Sequence, residues 1–191
     1  MIVRIITRAR ILMLASLLAL GTRPCVAQQS GRSDFRQQSE YLLRLAELTE
    51  WPQLAGENPR SAFNFCVLGR ERYGEQLEKA LLGHSIADKR IVIVRGQYLQ
   101  DMGKCDVLLV GDSKSQRKVD QLKRKPDSGV LTVGDQRGFA AHGGVIEIVA
   151  EQDRISFFIN IDAARRAGLK IGASLLALAT IVHDEQASLG D

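Results

Sequence analysis

The stretch RIVIVR, residues 90–95, places four consecutive β-branched residues between two arginines. Such side chains favour extended strands because they pack well on a pleated, half-buried surface. Three other short apolar runs occur in the chain: FNFCVL at 63–68, DVLLV at 106–110 and VLTV at 130–133. Runs of this length and composition predict four β-strands.

Helical patterns separate these strands. They are clearest at residues 73–82 and 115–125, and a further helix is predicted at 34–51, where leucines recur at helical spacing. Asp34 is the expected cap of that first helix, and Pro52 ends it because proline disfavours the α conformation of the preceding residue. Strands and helices that alternate in this way favour parallel pairing, so the predicted fold class is α/β.

Residues 145–161 depart from that alternation. The runs VIEIV and RISFFIN flank a polar turn at 150–153, a pattern that predicts a β-hairpin at one edge of a mixed, mostly parallel sheet. A final helical region is expected from 163 to 183, capped by Asp162 and bent near the two glycines within it. Residues 34–191 are therefore predicted to form a single layered domain in which helices flank the sheet.

The first 27 residues have the pattern of a secretory signal peptide. Three arginines precede an apolar run at 11–20, which is too short to cross a hydrocarbon core of about 30 Å, and a polar stretch then ends in Val26 and Ala27. Cleavage after Ala27 would send a soluble chain to an oxidising compartment, with residues 28–33 as a flexible lead-in. Acylation at Cys25 is the alternative, but Thr, Arg and Pro precede that cysteine where a lipoprotein signal needs small aliphatic residues.

The export signal also carries the positive charge of the chain. The full sequence has 26 basic and 22 acidic residues, and the first 27 positions contain four arginines and no acidic residue. The mature chain would thus hold equal numbers of basic and acidic residues. A net charge near zero removes the electrostatic basis for nucleic-acid binding, so we expect no nucleic-acid partner.

Two cysteines remain after cleavage, Cys66 inside the first predicted strand and Cys105 next to the third. An even pair in an oxidising compartment predicts a disulfide, and two separate buried thiols are the alternative. If the strands are ordered second, first, third, the two cysteines lie on neighbouring strands. No CxxC motif is present, so the sequence does not indicate redox catalysis.

The sequence contains no recognisable catalytic or metal-binding motif. His84, His142 and His183 have no cysteine or carboxylate at metal-ligand spacing, and no nucleophile elbow or phosphate loop occurs. We therefore expect neither an enzyme nor a bound metal or cofactor. The loop GDQRGFAAHGG, residues 134–144, either binds a ligand at the end of the fourth strand or only reverses the chain. The basic segment 113–125 is either a solvated helix face or a contact for anionic lipid or an acidic partner.

Two aromatic residues of the first predicted helix, Tyr41 and Trp51, form a candidate interaction surface. Trp51 is the single tryptophan of the chain and stands near the end of the amphipathic stretch EYLLRLAELTEWP, residues 40–52. Large aromatic side chains are common both in cores and at interfaces. Trp51 is therefore either a packing anchor or part of the surface through which the protein acts.

Several of these segments, in the same order, resemble the YfiR family of periplasmic regulators. The similar motifs are YLLRLAELTEWP at 41–52, FCVLG at 65–69, KCDVLLVG at 104–111, VLTVGDQRGFAAHGG at 130–144 and ISFFINIDAARRAGLKIGASLLALA at 155–179. The resemblance implies that Cys66 and Cys105 match the structural cysteine pair of that family. A second pair known in the family has no counterpart here, because residues 138–153 contain no cysteine.

The same resemblance implies a homodimeric periplasmic protein without enzymatic activity. It would repress an inner-membrane GGDEF diguanylate cyclase by binding the periplasmic domain of that cyclase, which would lower cyclic di-GMP and biofilm formation. An outer-membrane lipoprotein would sequester the repressor. The alternative is a periplasmic small-molecule receptor, or an unrecognised enzyme, that uses the loops after the first and fourth strands. An apolar cleft with converging Arg or Lys groups would favour that alternative.

Overall fold

The computed structural model describes residues 30–54, 62–69, 73–111, 125–151 and 154–184. The strands within them are β1 Thr49–Glu50, β2 Ala62–Leu68, β3 Ser85–Ile86, β4 Lys89–Gly96, β5 Val107–Val110, β6 Leu131–Gly134, β7 Ile146–Glu151, β8 Arg154–Asn160, β9 Lys170–Ile171 and β10 Ala179–Val182. The α-helices are α1 Ser30–Glu47, α2 Glu75–Leu81, α3 Ile161–Arg166 and α4 Ala173–Leu176, and 3₁₀ turns occur at Pro52–Leu54 and Leu99–Asp101. The sheet lies in the compact unit Asp34–Asp191. The predicted signal peptide lies outside the described residues.

Eight of the strands form one sheet in the order β10-β8-β7-β6-β5-β2-β4-β3. Its centre is parallel, because β4 pairs with β2, β2 with β5, β5 with β6 and β6 with β7 in the same direction. The predicted mixed, mostly parallel α/β fold is confirmed. The four predicted strands correspond to β2, β4, β5 and β6, and the order second, first, third appears as β4-β2-β5. Every residue of β5 and β6 is buried, as expected for central strands covered on both faces.

The predicted hairpin is present as β7 and β8, which pair antiparallel from Ile146 opposite Ile159 to Glu151 opposite Arg154. Its expected position at the edge of the sheet is wrong. The strand β10 pairs with β8 in parallel and takes the outer position. The opposite edge is the two-residue strand β3, antiparallel to β4.

The predicted helix from 163 to 183 is also wrong, because the chain forms α3, β9, α4 and β10 there. Gly168 adopts a φ of 72°, a left-handed conformation that ends the first short helix. The strand β9 then pairs with β1 as a separate two-stranded sheet. Ala179 of β10 packs against the core beside β8. Tertiary pairing overrides the helix propensity of this alanine- and leucine-rich segment.

Several helix boundaries differ from the predictions. The helix α1 begins at Ser30, inside the expected lead-in, so Asp34 lies within the helix rather than at its start. It ends at Glu47 because the next residues turn into β1, where the N–H of Gly172 donates to the carbonyl of Leu48 at 2.9 Å. The cap of α3 is Asn160 rather than Asp162. The predicted helix at 73–82 appears as α2, and the one at 115–125 lies almost entirely outside the described residues.

Both faces of the sheet are packed. Alternate residues of each strand point to opposite faces, and the first face carries the main core, in which the sheet contacts α1, α2 and α3. Its largest side chains include Phe63, Phe65, Leu42, Leu45, Leu77, Leu131 and Ile146. The second face carries a smaller core formed by Cys66, Leu68, Met102, Cys105, Leu108, Val110, Val130 and Phe139. Within the described ranges, none of the helices combines the length and the apolar character of a membrane span.

Candidate functional site

A disulfide on the second face joins Cys66 of β2 to Cys105, which lies just before β5. Their Cα atoms are 5.7 Å apart, within the usual range for a bridge. Hydrogen bonds fix the same junction: the N–H of Asn64 donates to Asp106 Oδ2 at 2.8 Å, and Asn64 Nδ2 donates to the carbonyl of Lys104 at 2.7 Å. The predicted disulfide is thus present, and it holds β2 to the start of β5.

The loop 134–144 folds around one buried side chain. Phe139 belongs to the second core, and a Cβ on the glycine at either end of the loop would overlap its ring. The buried carboxylate of Glu147, on β7, accepts hydrogen bonds from two backbone N–H groups of the loop, both at 3.1 Å. The loop was predicted either to bind a ligand or only to reverse the chain. The close packing of its glycines on Phe139 supports chain reversal. The role of Glu147 was not predicted, because nothing in the sequence marks it as a buried carboxylate.

Trp51 packs the end of α1 onto the first face. Its side chain is 7% exposed, and its ring meets that of Phe63 edge to face with centroids 5.0 Å apart. Its Nε1–H donates to the carbonyl of Ala46 at 3.2 Å, so the polar atom of the indole is satisfied inside the protein. These contacts are those of a packing anchor. A direct contact with a partner stays a prediction.

Tyr41 lies further back on α1 and keeps part of its surface exposed. Its ring meets that of Phe157 on β8 edge to face, with centroids 5.3 Å apart. The structure therefore places Tyr41 and Trp51 on the same face of the sheet but against different strands, β8 and β2. They do not form one contiguous aromatic pair.

A cluster of polar and charged side chains joins the start of α3 to the end of β10. Asn160 caps the helix through Oδ1, and its Nδ2 donates to Asp184 Oδ1 at 2.7 Å. Arg166 pairs with the same carboxylate, and His183 Nδ1 lies 2.7 Å from Asp162 Oδ2. The cluster ties the edge strand to the helix. Sequence reasoning missed it because the partners are far apart in the chain, although asparagine directly before a helix is a recognisable cap.

The histidines do not assemble into a metal site. Among the residues that the structure describes, no group of three or more His, Cys, Asp or Glu side chains is placed to hold a metal ion. His84 is exposed in the turn after α2, and His142 Nδ1 lies 2.7 Å from the carbonyl of Gly138 in its own loop. These positions give no support to a catalytic interpretation.

The strand β10 forms an open edge of the sheet. It pairs with β8 on one side, and no described strand lies on the other. Leu178, just before it, is 73% exposed, and Ile181 within it is 40% exposed. Unpaired backbone groups beside exposed apolar side chains are a template for another strand. The edge of β10 is thus a candidate interaction surface. The sequence did not indicate it, because the segment that contains β10 was predicted to be a helix.

A cavity of about 420 Å³ opens on the second face, at the amino ends of β5 and β6. It is lined by Leu99, Gly103, Lys104, Cys105, Leu108, Lys125, Ser128 and Val130. A receptor or enzyme was expected to use the loops after the first and fourth strands, which lie at the opposite ends of these strands. Residues 70–72 of the first of those loops lie outside the described part of the chain.

The sequence matches one protein family over most of its length. The YfiR/HmsC-like family model covers residues 35–180, from α1 into β10, and so includes both cysteines and the loop 134–144. The resemblance noted in the motifs is therefore confirmed by a match that spans the described fold. Proteins of the YfiR family are periplasmic. The chain belongs to the YfiR/HmsC-like family.

Proposed function

We propose that this chain is a periplasmic regulator that binds the periplasmic domain of an inner-membrane diguanylate cyclase and represses it. Repression lowers cyclic di-GMP and, with it, biofilm formation. Membership of the YfiR/HmsC-like family over residues 35–180 carries the proposal. YfiR-like proteins are regulators rather than enzymes, and the proposed mechanism accordingly needs binding alone.

The mechanism is a population shift. A repressor that prefers the inactive conformation of the cyclase draws the equilibrium away from the active one and performs no chemistry. A preference of about a hundredfold corresponds to about 2.7 kcal/mol, which a modest apolar contact supplies. The near-neutral mature chain agrees with recognition through apolar contact rather than through a strong electrostatic field.

The edge of β10 is the surface we assign to binding. It combines open backbone groups with two exposed apolar side chains, Leu178 and Ile181. An added strand would satisfy the backbone and cover those side chains in one contact. Tyr41 and Trp51 hold α1 and the residues after it on the sheet. We also propose that the exposed part of these two side chains contacts the partner.

Two further associations belong to the proposal. The protein is a homodimer, and an outer-membrane lipoprotein relieves repression by sequestering it. The exposed edge of β10 supports sequestration, because a lipoprotein bound there would compete with the cyclase for one surface. Analytical ultracentrifugation of the purified mature protein tests the dimer directly.

Deletion of the gene tests repression. Cyclic di-GMP should rise in a strain that expresses the cyclase and stay unchanged in a strain that lacks the cyclase. An unchanged level in the cyclase-expressing strain would refute the repressor proposal. Complementation with the wild-type gene should restore the low level.

Variants of β10 test the surface. Leu178→Asp combined with Ile181→Asp should leave the protein folded by circular dichroism, because both side chains are exposed, yet fail to restore the low cyclic di-GMP level. The matched control is Leu82→Asp, a side chain 81% exposed just after α2. If the β10 variant represses as well as the control, the binding surface lies elsewhere.

A further inference from the structure

The cavity at the amino ends of β5 and β6 combines an apolar wall with a charged rim. Leu99, Leu108 and Val130 supply the apolar side chains, and Lys104 and Lys125 carry ammonium groups beside them. Its volume of about 420 Å³ falls within the range of roughly 300–1,000 Å³ that is typical of small-molecule pockets. The cavity therefore has both the size and the mixed lining of a ligand site.

Among the described residues, neither of the two lysine side chains has a counter-charge. Both are exposed, neither makes an ion pair or a side-chain hydrogen bond within the described residues, and no acidic residue is among the described lining. Two positive charges in the lining of an otherwise largely apolar cavity favour a bound anion. The lining selects for a molecule that is apolar on one side and negatively charged on the other.

The walls of this cavity are held in place before any ligand arrives. On one side, Asn64 Nδ2 donates to the carbonyl of Lys104, next to the disulfide. On the other, Gln53 Nε2 donates to the carbonyl of Gly129 at 3.0 Å, and the N–H of Gly129 donates to the carbonyl of Ala167 at 2.9 Å. A preformed site spends little binding free energy on ordering the protein.

We propose that this cavity binds a small organic anion with an apolar body. The apolar body packs on Leu99, Leu108 and Val130, and a carboxylate, sulfonate or phosphate group accepts hydrogen bonds from the ammonium groups of Lys104 and Lys125. Ser128 adds a hydroxyl at the same rim. This ligand site is independent of the proposed repression, because it lies away from β10.

A matched pair of fluorescent probes tests the charge requirement. Anilinonaphthalenesulfonate is an apolar aromatic anion, and N-phenylnaphthylamine is the same aromatic body without the sulfonate. The purified mature protein should bind the anion about tenfold more tightly, since two partly exposed charge contacts together account for about that factor. Equal dissociation constants for the two probes would overturn the proposal.

Lysine variants locate the binding. Lys104→Gln combined with Lys125→Gln should remove the tenfold preference while leaving the neutral probe unaffected. The control, Lys79→Gln combined with Lys170→Gln, makes the same charge change at exposed positions outside the cavity and should keep the preference. Ser128→Trp should fill the cavity and weaken both probes. A preference that survives the Lys104 and Lys125 changes, or that the control also loses, would place the anion elsewhere.

A vesicle experiment separates a free ligand from a membrane lipid. Sedimentation with phosphatidylglycerol vesicles should leave the protein in the supernatant, because the proposed ligand is a free anion that enters the cavity. Co-sedimentation that depends on Lys104 and Lys125 would show that a bilayer headgroup is the natural anion and would refute the free-ligand form of the proposal.

Discussion

Removal of the Cys66–Cys105 disulfide should lower the free energy of unfolding by about 4 kcal/mol. The bridge joins residues separated by 39 positions, and the chain-entropy relation for a loop of this length gives about 13 cal/mol/K, or about 4 kcal/mol at 25 °C. For a domain of this size, each kcal/mol corresponds to roughly 2–4 °C in the melting temperature. The expected fall is therefore about 8–16 °C.

Four proteins measure this effect: the oxidised wild type, Cys66→Ala, Cys105→Ala and the double variant. Each is unfolded in urea and by heating. The two single variants should lose similar stability, because either change opens the same loop, and Cys66→Ala should lose slightly more since that residue is fully buried in β2. The double variant should add little, because the second change finds no bridge left to remove.

Three results would refute this reasoning. Free-thiol titration of the denatured wild type that finds two reactive thiols would show that the bridge is absent. Additive losses in the double variant would show that each cysteine stabilises the protein by packing alone. Single variants as stable as the wild type would mean that Asn64 and its partners hold β2 to β5 without the bridge.

Three further substitutions test the packing described above, each by urea unfolding. Trp51→Ala should cost about 3–5 kcal/mol, because the indole is buried, whereas a stable Trp51→Ala protein that no longer represses would make this residue a partner contact. Gly144→Ala should cost about 1–3 kcal/mol, because its Cβ would overlap the ring of Phe139, and an unchanged midpoint would show that the loop 134–144 can shift. Asn160→Ala should cost about 1–3 kcal/mol through loss of the α3 cap and of the hydrogen bonds that Nδ2 donates to Asp184 and to the carbonyl of Ala140, and an unchanged midpoint would contradict this role.

The central strands were predictable because their signal is local. A strand such as β4 carries β-branched residues in one short run, and the same is true of the apolar runs in β2, β5 and β6. Their order is not contained in any local run. The order second, first, third was only assumed, as one that would bring the two cysteines onto neighbouring strands, and the sheet has it as β4-β2-β5.

The prediction for the C-terminal region was wrong because the decisive signal there is not local. Its alanines and leucines are good helix formers, and the pattern from 163 to 183 hides three consecutive β-branched residues, Thr180, Ile181 and Val182. Those residues become a strand because β8 offers an unpaired edge, a fact that no local window contains. The error over Asp162 has a similar origin, since Asn160 is the cap only because β8 ends there.

The proposed ligand cavity could not be predicted from the sequence, because two separate connections and a strand build it. Lys104 comes from the segment before β5, Lys125 and Ser128 from the segment before β6, and the wall of β5 lies between them. Parallel strands bring these amino ends together, so both lysines line one cavity because of the topology and not because of sequence spacing. In the sequence alone, neither Lys104 nor Lys125 can be distinguished from an ordinary solvated lysine.

The two faces of the sheet differ in what they can do. The first face is filled by α1 and its aromatic contacts, so a change there alters stability before it alters binding. The second face has a smaller core that contains the disulfide, and the cavity lies beside Cys105. Substitutions at the exposed lysines should therefore separate ligand binding from folding, whereas substitutions at Trp51 cannot. Because Trp51 is buried, we propose the edge of β10 and the cavity at the amino ends of β5 and β6 as the binding surfaces instead.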